Sequence, residues 1–307
     1  MADLEIQYIK LHFSLVMEEE TTLPKYKVSA LRGGMGEVLL RKNCIEDRNC
    51  EKCRFEEECI VRRMMYSKMK IQPKFMSQGD SVGYVIECED YRDQFREGDT
   101  LRFNLILFGR NAVYFNQYLD ACYTLGRVGL GSERGRYTIA SISNTKGEAI
   151  LNGYDVDMAK YRLQTVEDYI AYRMDGLKNV GDEPRCIKLQ SPLSLKYQGK
   201  LQEVINMEAI LQAVRRRLYM LCCFEGIDIS QNEIFPGEVP ELVEQSVRKI
   251  TIPRYSFHKQ EKMVMRGIEG VGRFQAIDDN ILRLLIAGEL IHIGKNTSFG
   301  FGRYRLK

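Results

Sequence analysis

FGFGRYRLK, residues 299–307, and GLGSERGRYTI, residues 129–139, have a common ending. In each stretch, spaced glycines lead to a Gly-Arg-Tyr triplet, and a run typical of a β-strand follows. A motif that recurs in this way indicates an internal duplication in which each copy closes on the same strand. A closing strand inside a sheet also explains why so specific a sequence stands at a chain end, where chains usually fray.

The periodicity of the hydrophobic residues predicts the same order of elements ahead of both triplets. The first copy has predicted strands at residues 9–15, 83–88, 100–109 and 136–142, and helices at residues 27–43 and 111–125. The second copy has predicted strands at residues 186–190, 247–257, 263–275 and 303–306, and helices at residues 203–223 and 277–290. We expect Pro253 to break one strand and Asp278 or Asp279 to cap the last helix.

Both copies therefore have the order βαββαβ, which is that of a ferredoxin-like unit. We predict an α+β fold of two tandem ferredoxin-like (RRM-like) domains, residues 1–182 and residues 183–307. A cysteine-rich insert at residues 44–59 belongs to the first domain, and a glycine-rich loop belongs to the second.

The composition is that of a globular protein, because 44% of the 307 residues are hydrophobic and 28% are charged. No apolar run approaches the roughly 20 residues that span a bilayer. The N-terminal stretch MADLEIQYIK is acidic where a signal peptide would be basic. We therefore expect a cytoplasmic protein that does not contact membranes.

The basic residues are concentrated near the C-terminus. Residues 248–307 hold 12 Lys and Arg against 5 Asp and Glu, whereas the whole chain carries a net charge of only +3. A basic region of this kind favours a polyanionic partner, although chance clustering gives the same pattern.

Four cysteines lie close together in CIEDRNCEKCRFEEEC, residues 44–59, namely Cys44, Cys50, Cys53 and Cys59. A reducing cytoplasm disfavours disulfides, and four thiolates match the tetrahedral site of structural zinc. The outer spacings differ from those of a standard zinc ribbon, so free thiols, a partial site or an iron–sulfur cluster stay open. We expect structural Zn²⁺ that clips a loop, and no metal in catalysis.

The glycine-rich loop in IHIGKNTSFGFGRY, residues 291–304, offers several groups that suit a phosphate. Glycines allow close approach of the backbone, while Lys295, Asn296, Thr297 and Ser298 add an ammonium, an amide and two hydroxyls. The loop matches neither a Walker A motif nor a dinucleotide fingerprint, because a strand rather than a helix follows it. A tight turn with packing glycines is the alternative.

These motifs together resemble the CRISPR-associated RAMP endoribonucleases that process precursor crRNA. The resemblance rests on QSPLSL (residues 190–195), PRYSFHKQEK (residues 253–262), GIEG (residues 267–270) and the terminal glycine-rich loop. The N-terminal half resembles the subgroup that carries a four-cysteine insert after a Leu-Arg-Gly-Gly helix.

The resemblance implies a metal-independent endoribonuclease that cuts CRISPR repeat RNA once to give mature crRNA. A 2′-hydroxyl attacks the adjacent phosphate and leaves a 2′,3′-cyclic phosphate and a 5′-hydroxyl. Such chemistry needs a base, an acid and a cation near the phosphate. A catalytically inactive crRNA-binding subunit of a CRISPR effector complex and a zinc-containing protein-binding adaptor are the alternatives.

The candidate catalytic residues surround two of the three histidines. His258 stands in RYSFHKQ beside Tyr255 and Lys259, and His12 lies on a strand face with Lys10 and Ser14. Either histidine is alternatively a solvated strand residue, and His292, between two isoleucines, suits packing. The candidate RNA-binding residues combine basic, hydroxyl and loop backbone groups, and they are Arg32, Arg41, Lys42, Arg215, Arg254, Ser256, Gly294, Lys295, Asn296, Thr297, Ser298, Gly300, Gly302 and Arg303.

Overall fold

A computed structural model describes residues 5–50, 52–67, 69, 72–76, 81–153, 155–178, 185–227, 229–230, 234–256, 261–275 and 277–307. For residues 255–256 and 261–262 the description covers the backbone only. The chain forms two compact units. The N-terminal unit comprises residues 8–163, and the C-terminal unit comprises residues 164–307 together with the chain up to Gln7.

The N-terminal unit contains eight strands and three helices among its described residues. They are β1 (Gln7–Met17), β2 (Thr21–Thr22), α1 (Val28–Asn43), α2 (Ile60–Tyr66), β3 (Tyr84–Glu87), β4 (Gln94–Phe95), β5 (Thr100–Phe108), α3 (Phe115–Val128), β6 (Tyr137–Ser143), β7 (Ala149–Asn152) and β8 (Asp155–Val156).

The main sheet of this unit has the ferredoxin-like strand order β3-β5-β1-β6, and β7 and β8 extend it beyond β6. Neighbouring strands along this order are antiparallel, with Phe13 opposite Phe103 on β5 and opposite Ile142 on β6. Alternate residues of β1, such as Leu11 and Phe13, are buried in one core with residues of α1 and α3. The residues between them, including Lys10 and His12, therefore lie on the face of the sheet away from these helices.

The C-terminal unit contains seven strands and three helices among its described residues. They are β9 (Gln164–Thr165), α4 (Val166–Lys178), β10 (Arg185–Leu189), β11 (Lys196–Tyr197), β12 (Lys200–Leu201), α5 (Met207–Glu225), β13 (Leu242–Ser256), β14 (Glu261–Phe274), α6 (Asp279–Ile291) and β15 (Tyr304–Leu306).

The sheet of this unit has the order β13-β14-β10-β15, so the second, third, first and fourth strands are neighbours as in the N-terminal unit. All three pairings are antiparallel. Apolar residues of α5, including Leu211, Val214 and Leu218, are buried, and the Asp278 side chain caps α6 by accepting a hydrogen bond from the Ile281 amide. The structure thus confirms the predicted α+β fold of two ferredoxin-like units.

Two details differ from the sequence-based expectations. The two units divide between Leu163 and Gln164 rather than at residues 182 and 183, because α4 packs on α6 through contacts that include Arg283 to Glu167. The predicted break at Pro253 is wrong, since β13 runs unbroken past it opposite Val264 of β14. Pro253 is tolerated because β13 is the edge strand of its sheet and a proline there removes no ladder hydrogen bond.

A buried ion-pair cluster fixes the chain end. The carboxylate of Glu289 on α6 accepts hydrogen bonds from Tyr169 and Arg173 of α4, from Arg305, and from the Leu306 amide at 2.6 Å. The last strand is therefore tied to two helices as well as to β10. Within the described part of the chain, no helix is long and apolar enough to cross a membrane.

Candidate RNA-binding and catalytic site

The glycine-rich loop, residues 294–302, is held by the segment that precedes α5. The Lys295 amide donates to the Ser194 carbonyl at 2.8 Å, and the Gly302 amide donates to the Pro192 carbonyl at 2.8 Å. The Arg303 amide donates to the Ser191 hydroxyl at 3.0 Å. The QSPLSL motif is therefore the support of the glycine-rich loop, and Leu193 of the same motif bridges to β14.

The loop presents only some of its polar groups to solvent. Gly294 and Lys295 are exposed and Asn296 is half-buried, whereas Thr297 and Ser298 are buried at 6% and 7% exposure in a short 3-10 turn. The two hydroxyls that the sequence suggested for RNA contact thus lie inside the unit. The groups that the loop presents to solvent are the Lys295 ammonium, the Asn296 amide and the Gly294 backbone.

Gly302 is required by the shape of the loop. Its φ is +79°, and a Cβ on it would lie 1.9 Å from the Ile293 carbonyl oxygen. The Ile293 amide donates to the Gly302 carbonyl at 3.1 Å, so the two ends of the loop are paired. Gly302 therefore closes the loop and is not itself open to a ligand.

The end of the β13–β14 hairpin reaches the glycine-rich loop. The Arg254 guanidinium of β13 lies over the Phe299 ring at 4.3 Å from its centroid, and its Nη2 is 3.3 Å from the Met263 sulfur. Two predicted RNA-binding features, Arg254 and the loop, are thus neighbours. Gly300 and Arg303 flank the same stretch, with Gly300 at a φ of +81° and Arg303 half-buried.

The predicted catalytic group around His258 falls at the turn of this hairpin. Tyr255 and Ser256 are the last residues of β13, where their backbones pair with residues 262 and 261 of β14. Nothing is described of the Tyr255 and Ser256 side chains, and His258 and Lys259 lie outside the described residues. Their assignment as site residues stays a prediction.

His12 belongs to a polar row on the face of the N-terminal sheet away from the helices. The row runs across three strands. His12 Nδ1 lies 2.7 Å from Asn104 Oδ1, Asn104 Nδ2 lies 2.8 Å from Glu87 Oε2, and Lys10 Nζ lies 2.7 Å from the same Glu87 oxygen. Sequence reasoning found His12 and Lys10 from their alternation but missed Asn104 and Glu87, because cross-strand register is needed to place them beside His12.

His292, the third histidine, packs inside the C-terminal unit. Its ring is buried, and Nδ1 lies 3.1 Å from the Phe301 carbonyl oxygen. The expectation that His292 supports the loop is consistent with this contact.

Four other predicted RNA-binding residues have partners within their own unit. Arg41 pairs with Glu37 and Lys42 with Asp120, each at 2.7 Å on the surface. Arg215 donates to the carbonyls of residues 234 and 235, and burial lowers its pKa. Arg32 is half-buried beside the side chains of Tyr66 and Tyr84.

The four clustered cysteines bracket the insert between α1 and α2. Cys44 caps the C-terminus of α1, Cys59 caps the N-terminus of α2, and all four thiols are half-buried. Burial raises the pKa of the Cys50 thiol, and the neighbouring Arg62 guanidinium opposes this rise. Across the ranges that the structure describes, no group of three or more His, Cys, Asp and Glu side chains is arranged to hold a metal ion.

Comparison with known proteins divides the chain at the same place as the structure. Residues 6–164 match the AF_1859_N family, described as an N-terminal domain. Residues 187–304 match the family described as CRISPR-associated endoribonuclease Cas6. An uncharacterised protein of Archaeoglobus fulgidus is 27% identical over 295 residues, which are 93% of either chain.

Solved structures with the same fold carry the name of the second family. A partial Cas6-RT-Cas1–Cas2 complex matches 98% of this chain with a TM-score of 0.57 and 13% identity, but this chain spans only 46% of that one. A Cas6 product complex matches 99% of this chain and 100% of its own, with a TM-score of 0.55 and 12% identity. Cas6 from Thermus thermophilus matches 98% of this chain and 99% of its own, with a TM-score of 0.52 and 11% identity.

Because these sequence identities are low, the solved structures establish only the fold. Family membership rests on the family models. The first family model covers more than half of the chain, and the second covers the β13–β14 hairpin and the glycine-rich loop. The chain therefore belongs to the AF_1859_N family, and residues 187–304 of its C-terminal unit match the CRISPR-associated Cas6 endoribonuclease family.

Proposed function

We propose that this protein cleaves CRISPR repeat RNA to produce mature crRNA. The observation that carries the proposal is the Cas6 endoribonuclease domain at residues 187–304, which contains both the hairpin end and the glycine-rich loop. The basic character of residues 248–307 suits an RNA backbone, since each neutralised phosphate releases counterions. We further propose that the crRNA stays bound and is delivered to a CRISPR effector complex.

The proposed reaction uses the RNA's own nucleophile and no metal. The 2′-oxygen loses its proton to a base and bonds to the adjacent phosphorus, while the bond from phosphorus to the 5′-oxygen breaks. The leaving oxygen takes a proton, so the products are a 2′,3′-cyclic phosphate and a 5′-hydroxyl. The protein contributes positioning, proton transfer and stabilisation of the phosphorane charge.

The proposed contacts with RNA centre on the glycine-rich loop. Lys295 and Asn296 supply an ammonium and an amide at the loop surface, and Gly294 is exposed beside them. Arg254, stacked on Phe299, presents a second cation next to the loop. Thr297 and Ser298 support the loop from within rather than contacting RNA.

Two basic residues of α1 are proposed as secondary contacts. The side chains of Arg41 and Lys42 remain 66% and 43% exposed although each has a surface ion pair. Such pairs stabilise little, so their exchange for RNA phosphates costs little. Arg215 and Arg32 hold neighbouring segments of their own units, and we assign them a supporting role.

We propose His258 as an acid or base of the reaction, with Tyr255 and Lys259 as its neighbours in sequence. The test is a single-turnover measurement with His258→Ala against Val264→Ala, which shortens an exposed apolar side chain of the same hairpin. We expect His258→Ala to slow cleavage at least 100-fold with RNA affinity retained. An unchanged cleavage rate would remove His258 from the mechanism.

The proposed function is tested by incubating the protein with its cognate repeat RNA in EDTA. We expect one cut with a cyclic-phosphate end, and no cut when a single 2′-deoxynucleotide precedes the scissile phosphate. Tight binding without cleavage would instead identify a catalytically inactive crRNA-binding subunit. Absence of RNA binding would refute both, and would leave the zinc-containing adaptor as the remaining function.

We also propose that Cys44, Cys50, Cys53 and Cys59 hold structural Zn²⁺. The proposal rests on the donor chemistry of the four thiols and on the positions of Cys44 and Cys59 at the two helix ends that bracket the insert. Elemental analysis of the reduced protein is expected to find about one zinc per chain. Cys50→Ser with Cys53→Ser should abolish it and Cys186→Ser, another half-buried thiol, should not. Absence of metal from the reduced wild-type protein would refute the site.

A further inference from the structure

The polar row Lys10–Glu87–Asn104–His12 has a defined hydrogen-bonding direction. Glu87 is 4% exposed, and Lys10 Nζ lies 2.7 Å from its Oε2. A buried carboxylate beside an ammonium is an acceptor, because the ammonium favours its charged form. Glu87, on the edge strand β3, is therefore the end of the row that only accepts hydrogen bonds.

This carboxylate determines which way the Asn104 amide points. The Asn104 group that lies 2.8 Å from Glu87 Oε2 has to donate, so it is the NH₂. The Asn104 carbonyl oxygen then faces His12 Nδ1 at 2.7 Å. Since a carbonyl oxygen only accepts, His12 Nδ1 carries the proton.

The consequence for His12 is a single neutral tautomer. With the proton held on Nδ1, the lone pair of the ring is on Nε2, at the opposite side of the imidazole from Asn104. A catalytic histidine is typically oriented by a third group that hydrogen-bonds to one ring nitrogen, and the other ring nitrogen then acts as the base. A histidine that only packs in a sheet has no need of a buried carboxylate two strands away.

The surroundings of His12 also suit an RNA phosphate. The charged groups near His12 on this face are Lys10 on its own strand, Glu87 on β3, and Arg102 on β5 opposite Ser14. On the other side, β6 places uncharged Ser143 opposite His12 and Ser141 opposite Ser14. Arg102 is exposed and Lys10 is half-buried, so two cations among the described residues share this face with His12.

We propose that Asn104 and Glu87 are positioning residues that hold His12 as the Nδ1–H tautomer, with Nε2 as a base for RNA cleavage. The inference rests on the proposed function and adds residues to it. In this step the 2′-hydroxyl proton moves to Nε2 as the 2′-oxygen bonds to phosphorus. The bond to the 5′-oxygen breaks, and that oxygen takes a proton from the acid of the proposed reaction.

The first measurement is the tautomer of His12, read from long-range ¹⁵N–¹H correlations of the three histidines in the full chain. His12→Gln assigns the resonances. We expect Nδ1–H in the wild type and loss of that preference in Asn104→Leu, which keeps the volume but removes the acceptor. Glu87→Gln should weaken the preference, because its amide no longer dictates the direction of Asn104.

The second measurement is single-turnover cleavage, with RNA affinity measured alongside. We expect at least a 100-fold loss of rate for His12→Ala and about a 10-fold loss for Asn104→Leu, each with unchanged affinity. Ser143→Ala, on the opposite side of His12, should cleave at the wild-type rate. Melting temperatures identify any variant whose rate falls through misfolding.

Several outcomes would overturn the inference. An Nε2–H tautomer in the wild type would show that Asn104 does not position His12. Wild-type cleavage by His12→Ala, or a loss of affinity instead of rate, would remove His12 as a base. A wild-type protein that binds repeat RNA without cutting it would refute the proposed function and with it the base role, whereas the tautomer alone decides the positioning by Asn104.

Discussion

The two Gly-Arg-Tyr turns close their units with the same tyrosine contact. In the N-terminal unit, the Tyr137 hydroxyl donates to the Cys122 carbonyl of α3 at 2.9 Å. In the C-terminal unit, the Tyr304 hydroxyl donates to the Leu285 carbonyl of α6 at 2.6 Å. Burial raises the pKa of both tyrosines well above the ordinary value, so both remain donors at neutral pH. The repeated tyrosine therefore fastens the closing strand to the preceding helix.

The turns differ in what their backbones bind. Both turns pair their own ends, through two hydrogen bonds between Leu130 and Gly135 in the N-terminal turn and one from the Ile293 amide to the Gly302 carbonyl in the glycine-rich loop. The glycine-rich loop also donates backbone hydrogen bonds to the carbonyls of Pro192 and Ser194, and it keeps Lys295 exposed. The comparison indicates that the Gly-Arg-Tyr triplet, which both turns contain, stabilises the fold. Residues that contact RNA are therefore to be sought among those that the two turns do not share.

The largest expected effect on stability distinguishes a buried ion pair of the C-terminal unit from an exposed ion pair of the N-terminal unit. Glu289→Ala removes a buried carboxylate that accepts from Tyr169, Arg173 and the Leu306 amide, and leaves Arg173 without its buried partner. We expect a loss of about 3–5 kcal/mol in the free energy of unfolding. Denaturant titration followed by circular dichroism measures it.

The matched control is Glu19→Ala, which removes the exposed partner of Arg136 beside the N-terminal turn. A surface pair of this kind contributes little, so we expect no measurable change in the unfolding midpoint. Equal losses for the two variants would show that burial does not distinguish these ion pairs, contrary to the comparison.

The second prediction tests whether the glycine-rich loop depends on its shape. Gly302→Ala places a methyl group 1.9 Å from the Ile293 carbonyl at a φ of +79°. We expect a loss of about 2–4 kcal/mol, because backbone strain and overpacking add. Thermal unfolding and repeat-RNA binding of the variant give the two readouts.

Gly199→Ala serves as the control for Gly302→Ala. Gly199 has nearly the same φ, +77°, but an added Cβ meets nothing within 4 Å. Gly199→Ala therefore measures only the free energy of unfolding lost by placing a side chain at positive φ, roughly 1 kcal/mol. If both variants lose the same stability, contact with Ile293 is irrelevant and the loop is less constrained than its geometry implies.

The third prediction tests the shared tyrosine contact. Tyr137→Phe and Tyr304→Phe each remove one buried hydroxyl and leave a helix carbonyl without its donor. We expect each to lower the free energy of unfolding by about 1 kcal/mol. A large loss for one variant and none for the other would contradict the view that the triplet has one structural role in both units.

Sequence patterns predicted the element order of both units because hydrophobic periodicity is local, as in the alternation of Leu11 and Phe13. They did not predict the partners of Glu289, since Arg173 is 116 residues away in the chain. The same limit hid Asn104 and Glu87 from the analysis of His12. Thr297 was expected to face a ligand because polar residues in glycine-rich loops are usually exposed, but the 3-10 turn buries it.

The smallest expected effect separates the two turns in RNA binding. Lys295 in the glycine-rich loop and Arg134 in the N-terminal turn are both exposed cations, so they form a matched pair. If Lys295 contacts one phosphate, Lys295→Ala should reduce the slope of log affinity against log salt by roughly 0.7–0.9. Arg134→Ala should leave the slope unchanged, because we assign the N-terminal turn to folding alone. Fluorescence anisotropy of labelled repeat RNA from 50 mM to about 300 mM salt measures both slopes. A reduced slope for Arg134→Ala would place RNA on the N-terminal turn as well, and the two Gly-Arg-Tyr turns would then share a function in addition to a fold.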